Sequence, residues 1–422
     1  MGLGPSIKMT TKHHFFCPLT KALSEDKDLE FTGIIVDGVS ENCDEKIYTA
    51  KRVGDLAGLM QADAAIVAID GWGNHHVDFV SVIEELGRRV IPAVGLSYIG
   101  LQGRLVCDND YVDCIVDFNK NVSGYESCVV GDNNLTEYDA KKAVGLVKLK
   151  LKRAGKEVTP EAGAEQITGR LMQKKYHIAE VTMEREQALQ QASGVYPIIR
   201  KGKMVLPEEI ATVPYDESLI RSATVTVLAP GQTHLFVNSN LDFFPIAAKE
   251  EGELGEGITR LFTGVTMMIT GAEEGGFQPS NIGSSEGLLK NRVVFDRAGT
   301  PASTDYLIHV DVTFKEGHGR SAEGIMEAHR FADRVAGKIR QALLSIEEEP
   351  DSTEEFQNIR RPGKRKVIIV KVVSGLGNMY DTAMFPLEPG GFLGSHNMMD
   401  TGNLPYGITP NQCRDGVIHS LL

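Results

Sequence analysis

His309 and Asp311 stand two residues apart in the segment IHVDV, which has the composition of a β-strand. Side chains at positions i and i+2 of a strand project from the same face, so the imidazole and the carboxylate are expected to be neighbours. Such a pair suits a general base with its orienting carboxylate, or two ligands of a metal ion. A half-buried polar face of a sheet has the same pattern, and the spacing alone leaves all three interpretations open.

A second group of polar side chains lies in the segment GGFQPSNIGSSEG, residues 275–287. It combines Gly, Ser, Asn and Pro in a loop too long for a hairpin turn, and long loops in compact domains are often functional. Hydroxyls, backbone N–H groups and a carboxylate are suited to bind the carboxylate or ammonium group of a small substrate. The candidate residues of this loop are Ser280, Asn281, Ser284, Ser285 and Glu286.

Other motifs favour neither a nucleotide nor a metal. The glycine turn SGLGNMYD, residues 374–381, lacks the G-K-[ST] of a phosphate-binding loop, so a tight turn is the better interpretation. No H-E-x-x-H is present, and the adjacent pair His75 and His76 points in different directions on any regular element. We therefore expect no metal, although a plain α/β sugar- or nucleotide-binding protein remains a weaker alternative.

Composition excludes several classes of partner. The 422 residues carry a formal net charge of -13, which argues against nucleic acid and acidic membrane surfaces because both attract positive proteins. No apolar run approaches the roughly 20 residues that cross a bilayer. The six cysteines form no C-x-x-C pair, which is typical of reduced thiols. We expect a cytoplasmic protein.

The first third of the chain alternates between strand and helix patterns. Apolar strand runs cover residues 31–38, 63–71 and 89–97, and amphipathic helical spacing covers residues 50–60 and 77–86. Such alternation indicates crossover connections and a parallel sheet, with ligands at the carboxyl ends of the strands. The segment DGWGNHHVD, residues 70–78, lies at such an end. A helix from Thr136 to about Ala154 closes this unit.

The remainder of the chain has mixed patterns. Residues 165–214 are expected to supply a helix and a short hairpin, GVYPIIRKGKMVLP, and strand patterns dominate from residue 222. A long helix is expected over residues 322–347, then a solvated loop, SIEEEPDSTEEF, and a buried strand over residues 365–375. The predicted fold class is α/β, with a parallel, Rossmann-like domain over residues 1–155 and a mixed α/β domain over residues 165–422.

Six segments carry a family resemblance: MGLGPSIK, DGWGNHHVDF, QTHLFVNSNLDFFPIA, EEGGFQPSNIGSSEG, VVFDRAGTPASTDYLIHVDV and GGFLGSHNMMDTGNLPYGITPNQCRDG. On these segments, which are spread over nearly the whole chain, the sequence resembles the D-proline reductase proproteins. It is similar as well to the related component B proproteins of glycine, sarcosine and betaine reductases. Motifs so long and unusual do not match by chance.

The resemblance implies a chemistry that residue patterns alone do not reveal. Precursors of this family cleave themselves before a cysteine in the segment matching residues 222–234, and that cysteine becomes a pyruvoyl group. The carbonyl is an electron sink for reductive C–N cleavage, such as the ring opening of D-proline to 5-aminopentanoate. A partner subunit containing selenocysteine or cysteine supplies the nucleophile. A homo- or hetero-oligomer acting on a small amino acid is therefore expected.

The chain departs from the family at the junction itself. The processing position matches Val227, and no cysteine occurs between Cys128 and Cys413. Valine has no nucleophile to capture the preceding carbonyl, whereas a threonine could support an acyl shift that leaves a 2-oxobutanoyl group. The candidate catalytic residues are Thr226, Val227, Thr233, His234, His309 and Asp311, and the candidate substrate-binding residues near the junction are Asn238 and Asp242.

Two hypotheses follow from this departure. The chain is either a subunit of a D-proline reductase-type enzyme, or an unprocessed paralogue that has no pyruvoyl group and serves in substrate binding or assembly. New fragments with a blocked amino terminus would favour the first hypothesis.

Overall fold

The computed structural model describes residues 11–40, 42–69, 73–97, 99, 105–124, 129–157, 163–185, 196–237, 242–273, 287–319, 321–373 and 383–420. These residues form a mixed α/β protein with several sheets. The α-helices are α1 Thr11–Phe15, α2 Pro18–Glu25, α3 Cys43–Leu59, α4 His75–Arg88, α5 Glu137–Arg153, α6 Ala322–Leu344 and α7 Pro410–Arg414. The strands of the first half are β1 Leu29–Gly38, β2 Ala64–Ile69, β3 Ala93–Ser97, β4 Ile115–Asp117, β5 Gln166–His177, β6 Glu180–Glu184, β7 Ile198–Arg200 and β8 Lys203–Pro207.

The second half is dominated by strands. They are β9 Ile220–Leu228, β10 Phe236–Val237, β11 Asp242–Phe244, β12 Ala247–Glu251, β13 Gly257–Thr263, β14 Val265–Glu273, β15 Gly287–Leu288, β16 Tyr306–Phe314, β17 Ser352–Arg360, β18 Arg365–Val373, β19 Ala383–Phe385, β20 His396–Asn397, β21 Tyr406–Ile408 and β22 His419–Ser420. Short 3₁₀ turns occur at Glu208–Thr212, Leu289–Asn291 and Met399–Thr401. No helix among the described residues is long and apolar enough to cross a membrane.

The first sheet has the order β21-β1-β18-β2-β3-β4, and its pairs are parallel except at β21. One face packs against α3 and α4, and the other packs against α2 and α5. Strands that are covered on both faces have continuous apolar runs, which is why the sequence predicted the strands of this region. The predicted parallel sheet is confirmed in β1, β2 and β3.

Strand β18 lies between β1 and β2 in the centre of this sheet. Its backbone joins the first sheet although Arg365–Val373 follows the first domain by some 200 residues in the chain. The proposed domain division near residues 155–165 stays a prediction. Strands β18 and β21 of this sheet come from beyond residue 165, so the order of the strands along the chain does not decide the division.

Helix α5 begins at a capping box. The Thr136 side chain accepts from the Asp139 backbone N–H, and the Asp139 carboxylate accepts from the Thr136 N–H. Two backbone donors that the first turn leaves open are thereby satisfied, so the helix begins where the sequence predicted.

The second sheet has the order β11-β14-β16-β9. Helix α6 covers one of its faces, with Phe331, Ala332, Val335 and Ile339 buried against the strands. The Ser321 hydroxyl caps this helix by accepting from the Gly324 N–H at 3.0 Å. This sheet positions most of the candidate residues.

Two predicted elements in the third sheet, β12-β13-β5-β17, were wrong. Gln166–His177 is a strand where a helix was expected, and Ser352–Arg360 is a strand where a loop was expected. Strand β17 is an exposed edge rich in carboxylates, which made it resemble a loop in the sequence. Basic side chains of β5 pair with those carboxylates, as in Lys175–Glu354 at 2.6 Å. Pairing with a distant segment therefore decided both elements.

Candidate functional site

The second sheet has two faces with different polar clusters. Alternation along the strands puts Thr226, Thr270, His309 and Asp311 on one face, which we call the junction face. The opposite face, which we call the helix face, packs on α6 and carries Val225, Val227 and Asp242 with the apolar residues of the core. The two faces place the predicted residues in two separate environments.

On the junction face, Thr270 connects His309 to Asp311. The Thr270 hydroxyl lies 2.7 Å from His309 Nε2 and donates to Asp311 Oδ1 at 2.6 Å. Because that hydroxyl has one proton, which it gives to the carboxylate, it accepts from His309 Nε2–H. The prediction that His309 and Asp311 share a face is confirmed, and the link between them is a residue that sequence reasoning missed.

The electrostatics of this triad favour the uncharged form of His309. Burial lowers the pKa of His309, and the nearby charge of Asp311 only partly offsets that effect. A neutral imidazole with its proton on Nε2 has its lone pair on Nδ1, the atom a general base would use. The arrangement resembles a base oriented by a hydroxyl and a carboxylate.

Thr226 lies directly opposite His309 on the neighbouring antiparallel strand. Side chains of directly opposed residues share a face, with Cβ atoms about 4.5–5.5 Å apart. Thr226 is exposed, whereas its neighbour Val227 is half-buried on the helix face. The hydroxyl next to His309 therefore belongs to Thr226, one residue before the position that the sequence analysis matched to the family's cysteine.

Val227 does not suit the formation of a pyruvoyl group. Its backbone lies within the continuous strand β9, opposite Ile308, and its isopropyl group packs on the apolar core. Self-cleavage of this type needs a side-chain nucleophile, and the residue at this position has none. The match of Val227 to the processing position stays a prediction.

The other predicted residues are dispersed. Thr233 and His234 follow the turn at Ala229–Gln232 and lead into β10, with the Thr233 carbonyl accepting from the Lys290 N–H. Their catalytic roles stay predictions. Asn238 and the loop residues Ser280, Asn281, Ser284, Ser285 and Glu286 lie outside the described residues.

Asp242 is buried on the helix face rather than beside the junction. Its Oδ2 lies 3.1 Å from His329 Nε2 and 2.9 Å from His419 Nε2, and its Oδ1 accepts from the Phe243 N–H. Interaction with His419 and the hydrogen bonds of the two histidines hold the pKa of Asp242 below its usual range despite its burial, whereas burial lowers the pKa of His419 itself. Its separation in sequence from His329 and His419 is 87 and 177 residues, so no local pattern could have revealed the trio.

The first sheet has its own polar groups near the expected ligand edge. Lys46 Nζ lies 2.5 Å from Asp78 Oδ2, and both side chains are buried. Burial raises the pKa of Asp78 to about 6, and Lys46 opposes that effect. Residues 70–72 of the predicted site lie outside the described residues.

A buried lysine at the other face of this sheet contacts two thiols. Lys371 Nζ lies 3.1 Å from His14 Nδ1, 3.3 Å from Cys17 Sγ and 3.8 Å from Cys413 Sγ. A hydrogen bond with Cys17, together with burial, raises the pKa of Cys413. Both cysteines are free thiols, as the sequence suggested.

A cavity of about 730 Å³ opens beside these thiols, between α2, the start of α5 and β17. Its walls include Cys17, Lys21, Phe356 and Arg414. Of the predicted site residues in the described part of the chain, none lines this cavity.

Comparison with known proteins gives two matches. Residues 3–118 match the family of glycine/sarcosine/betaine reductase component B subunits. The chain is 33% identical over 270 residues to the D-proline reductase proprotein of Acetoanaerobium sticklandii, an alignment that covers 64% of this chain and 42% of the relative. The match thus spans less than half of the relative's length, and no solved structure matches the chain. The chain is therefore similar to the D-proline reductase proprotein over 64% of its length, and its residues 3–118 match the component B family.

Proposed function

We propose that this chain is a subunit of an oxidoreductase of the D-proline reductase type. The observation that carries the proposal is the 33% identity to the D-proline reductase proprotein, together with the component B domain. The proposed reaction is the reductive cleavage of a C–N bond in a small amino acid such as D-proline. A second subunit with a selenol or thiol would supply the nucleophile, so the chain would work within a multisubunit complex.

The junction face supports this proposal with a base in a suitable state. His309 is oriented through Thr270, Asp311 completes the connection, and the lowered pKa of His309 favours its uncharged form. Such a base is suited to deprotonate either a hydroxyl on β9 or the amine of a bound substrate. Both tasks are compatible with a reductase subunit.

The missing nucleophile at Val227 leaves two forms of the proposal. In one, the chain stays intact and binds substrate or assembles with a catalytic homologue. In the other, Thr226 provides the hydroxyl, which attacks the Val225 carbonyl carbon, breaks the Val225–Thr226 peptide bond and forms an ester. Elimination of the ester and hydrolysis of the resulting enamine would release ammonia and leave a 2-oxobutanoyl group. The position of Thr226 opposite His309 favours it over the other hydroxyls of the segment.

Intact-mass spectrometry of the denatured protein separates the two forms. Fragments meeting between residues 225 and 226, the second without a free amine, are expected if Thr226 acts. A Thr226→Val variant should then stay whole, and Thr224→Val should still cleave. A single mass near 46.0 kDa supports the intact form.

Turnover tests the reductase proposal itself. The chain is combined with the selenol- or thiol-bearing subunit of the D-proline reductase relative, dithiothreitol and D-proline, and 5-aminopentanoate is measured by mass spectrometry. L-Proline, sarcosine, betaine and glycine are the comparison substrates. Binding of one of these compounds without turnover supports the intact, substrate-binding form. If the folded chain neither turns over nor binds any of them, the proposal fails.

A further inference from the structure

The trio Asp242, His329 and His419 brings three buried donor atoms to one point. Their side chains come from β11, α6 and β22, and their exposed fractions are 1%, 5% and 0%. One donor atom from each of the three side chains lies within 4.8 Å of the other two. Three different elements of the fold thus converge on a single enclosed position.

A hydrogen bond does not by itself explain the contact between His329 and Asp242. His329 Nδ1 lies 2.8 Å from the Ile325 carbonyl oxygen, which only accepts, so Nδ1 carries a proton. A neutral His329 then has a lone pair on Nε2, and that lone pair points towards the Asp242 carboxylate at 3.1 Å. A second proton on His329, a proton on the carboxylate, or a cation between the three groups would each stabilise this contact.

The spacing suits a cation. Ligands bound at about 2.0–2.2 Å around a tetrahedral ion are about 3.3 Å apart. The two measured N···O separations, 3.1 and 2.9 Å, are close to that value, and small rotations of the side chains would admit an ion. A metal-binding histidine commonly donates its other N–H to a backbone carbonyl, as His329 does to Ile325.

We propose that Asp242, His329 and His419 bind a divalent first-row transition-metal ion. Two imidazoles and one carboxylate form a ligand set used by zinc and by non-haem iron, and hard cations such as Mg²⁺ or Ca²⁺ prefer oxygen alone. Three protein ligands leave at least one coordination position for water or another ligand. The inference does not depend on the proposed reductase function.

Aromatic rings close the site and hold its imidazoles in place. The Phe392 ring lies 3.9 Å from the His419 ring and 4.8 Å from the His329 ring, measured between centroids. Phe244 packs on Phe392 and His419. An apolar wall of this kind strengthens the attraction between a cation and its ligands because it excludes water.

The test uses the full chain, with Zn²⁺ as the probe. Protein treated with a chelator and dialysed into metal-free buffer is titrated with Zn²⁺ against a chromogenic chelator, and bound metal is measured by mass spectrometry after gel filtration. One ion per chain is expected, with affinity lower by ~100-fold or more in His329→Gln and His419→Gln. The matched control is His177→Gln, which changes an exposed histidine and should keep the ion.

X-ray absorption of the zinc-loaded wild-type protein keeps the proposal testable even if the variants fail to fold. A first shell of nitrogen and oxygen with two imidazoles is expected. A sulfur shell would place the ion at cysteines, and the proposal would be wrong. It would be wrong as well if the folded wild-type chain bound no zinc, or if His329→Gln and His419→Gln bound it as the wild-type chain does.

Discussion

The two polar clusters of the second sheet differ in how their partners meet. On the junction face, His309, Thr270 and Asp311 come from two adjacent parallel strands, and the cluster has the exposed Thr226 beside it. On the helix face, Asp242 meets two histidines from remote elements in a closed, aromatic environment. The first cluster lies beside an exposed hydroxyl, whereas all three members of the second are buried.

The two clusters are expected to contribute differently to the stability of the protein. A fully buried carboxylate keeps its charge only because its partners stabilise that charge. Removing the carboxylate breaks the buried cluster and so affects the whole fold. The Thr270 hydroxyl is buried but uncharged, and it fixes the orientation of His309 and Asp311, so its removal should cost less stability than removal of the buried carboxylate. The following predictions test that contrast.

The largest effect is expected for Asp242→Ala. Removing one partner of a buried charged cluster should lower the free energy of unfolding by about 3–5 kcal/mol, because the remaining groups lose their counter-charge. Urea denaturation measures the loss. The control Asp110→Ala changes an exposed carboxylate and should stay within ~0.5 kcal/mol of the wild-type protein. A loss below ~1 kcal/mol would mean that Asp242 is not a buried charge.

A smaller loss is expected for Thr270→Val. The change keeps the shape but removes the hydroxyl between His309 and Asp311, and an unsatisfied buried group costs about 1–3 kcal/mol. Thermal and urea unfolding measure it. Thr353→Val, on the exposed edge strand β17, is the matched control and should be nearly neutral. Equal effects at both positions would contradict the link on the junction face.

The pH dependence of stability should report His309. Burial lowers its pKa in the folded state, so the unfolded chain binds more protons below its own pKa of about 6.5. The free energy of unfolding is therefore highest above that pH. It decreases as pH falls below it, by at most about 1.4 kcal/mol per pH unit for this one histidine. Between pH 7.5 and pH 5.5, His309→Gln should therefore lose less stability than the wild-type protein, and His177→Gln, which removes an exposed histidine, is the control. An unchanged slope in His309→Gln would show that this histidine titrates normally.

Val227→Cys should have the smallest effect on stability. The side chain is half-buried and similar in size to cysteine, so a change of less than about 1.5 kcal/mol is expected. The informative measurement is the intact mass. Cleavage before residue 227 would support the match of this position to the family junction, and Val227→Ala is the control that should stay whole. An intact Val227→Cys protein would count against the match.

Several elements could be predicted because their signals are local. The strands of the first sheet are apolar on both faces, α5 has its capping box, and the Ile198–Arg200 and Lys203–Pro207 hairpin has its turn residues. Gln166–His177 and Ser352–Arg360 were wrong because their own residues favour other structures. Gln166–His177 becomes a strand by pairing with β13 and β17, and Ser352–Arg360 becomes one by pairing with β5.

The sequence by itself determined that His309 and Asp311 share a face, because a strand has a period of two residues. It also determined, through its motifs, the relation to the D-proline reductase proprotein. Only the tertiary structure decided that Thr270 joins that pair, that Thr226 faces it, and that Asp242 meets His329 and His419. Such contacts depend on strand order and helix packing. These are determined by how the whole chain buries its apolar side chains, and no local residue spacing encodes them.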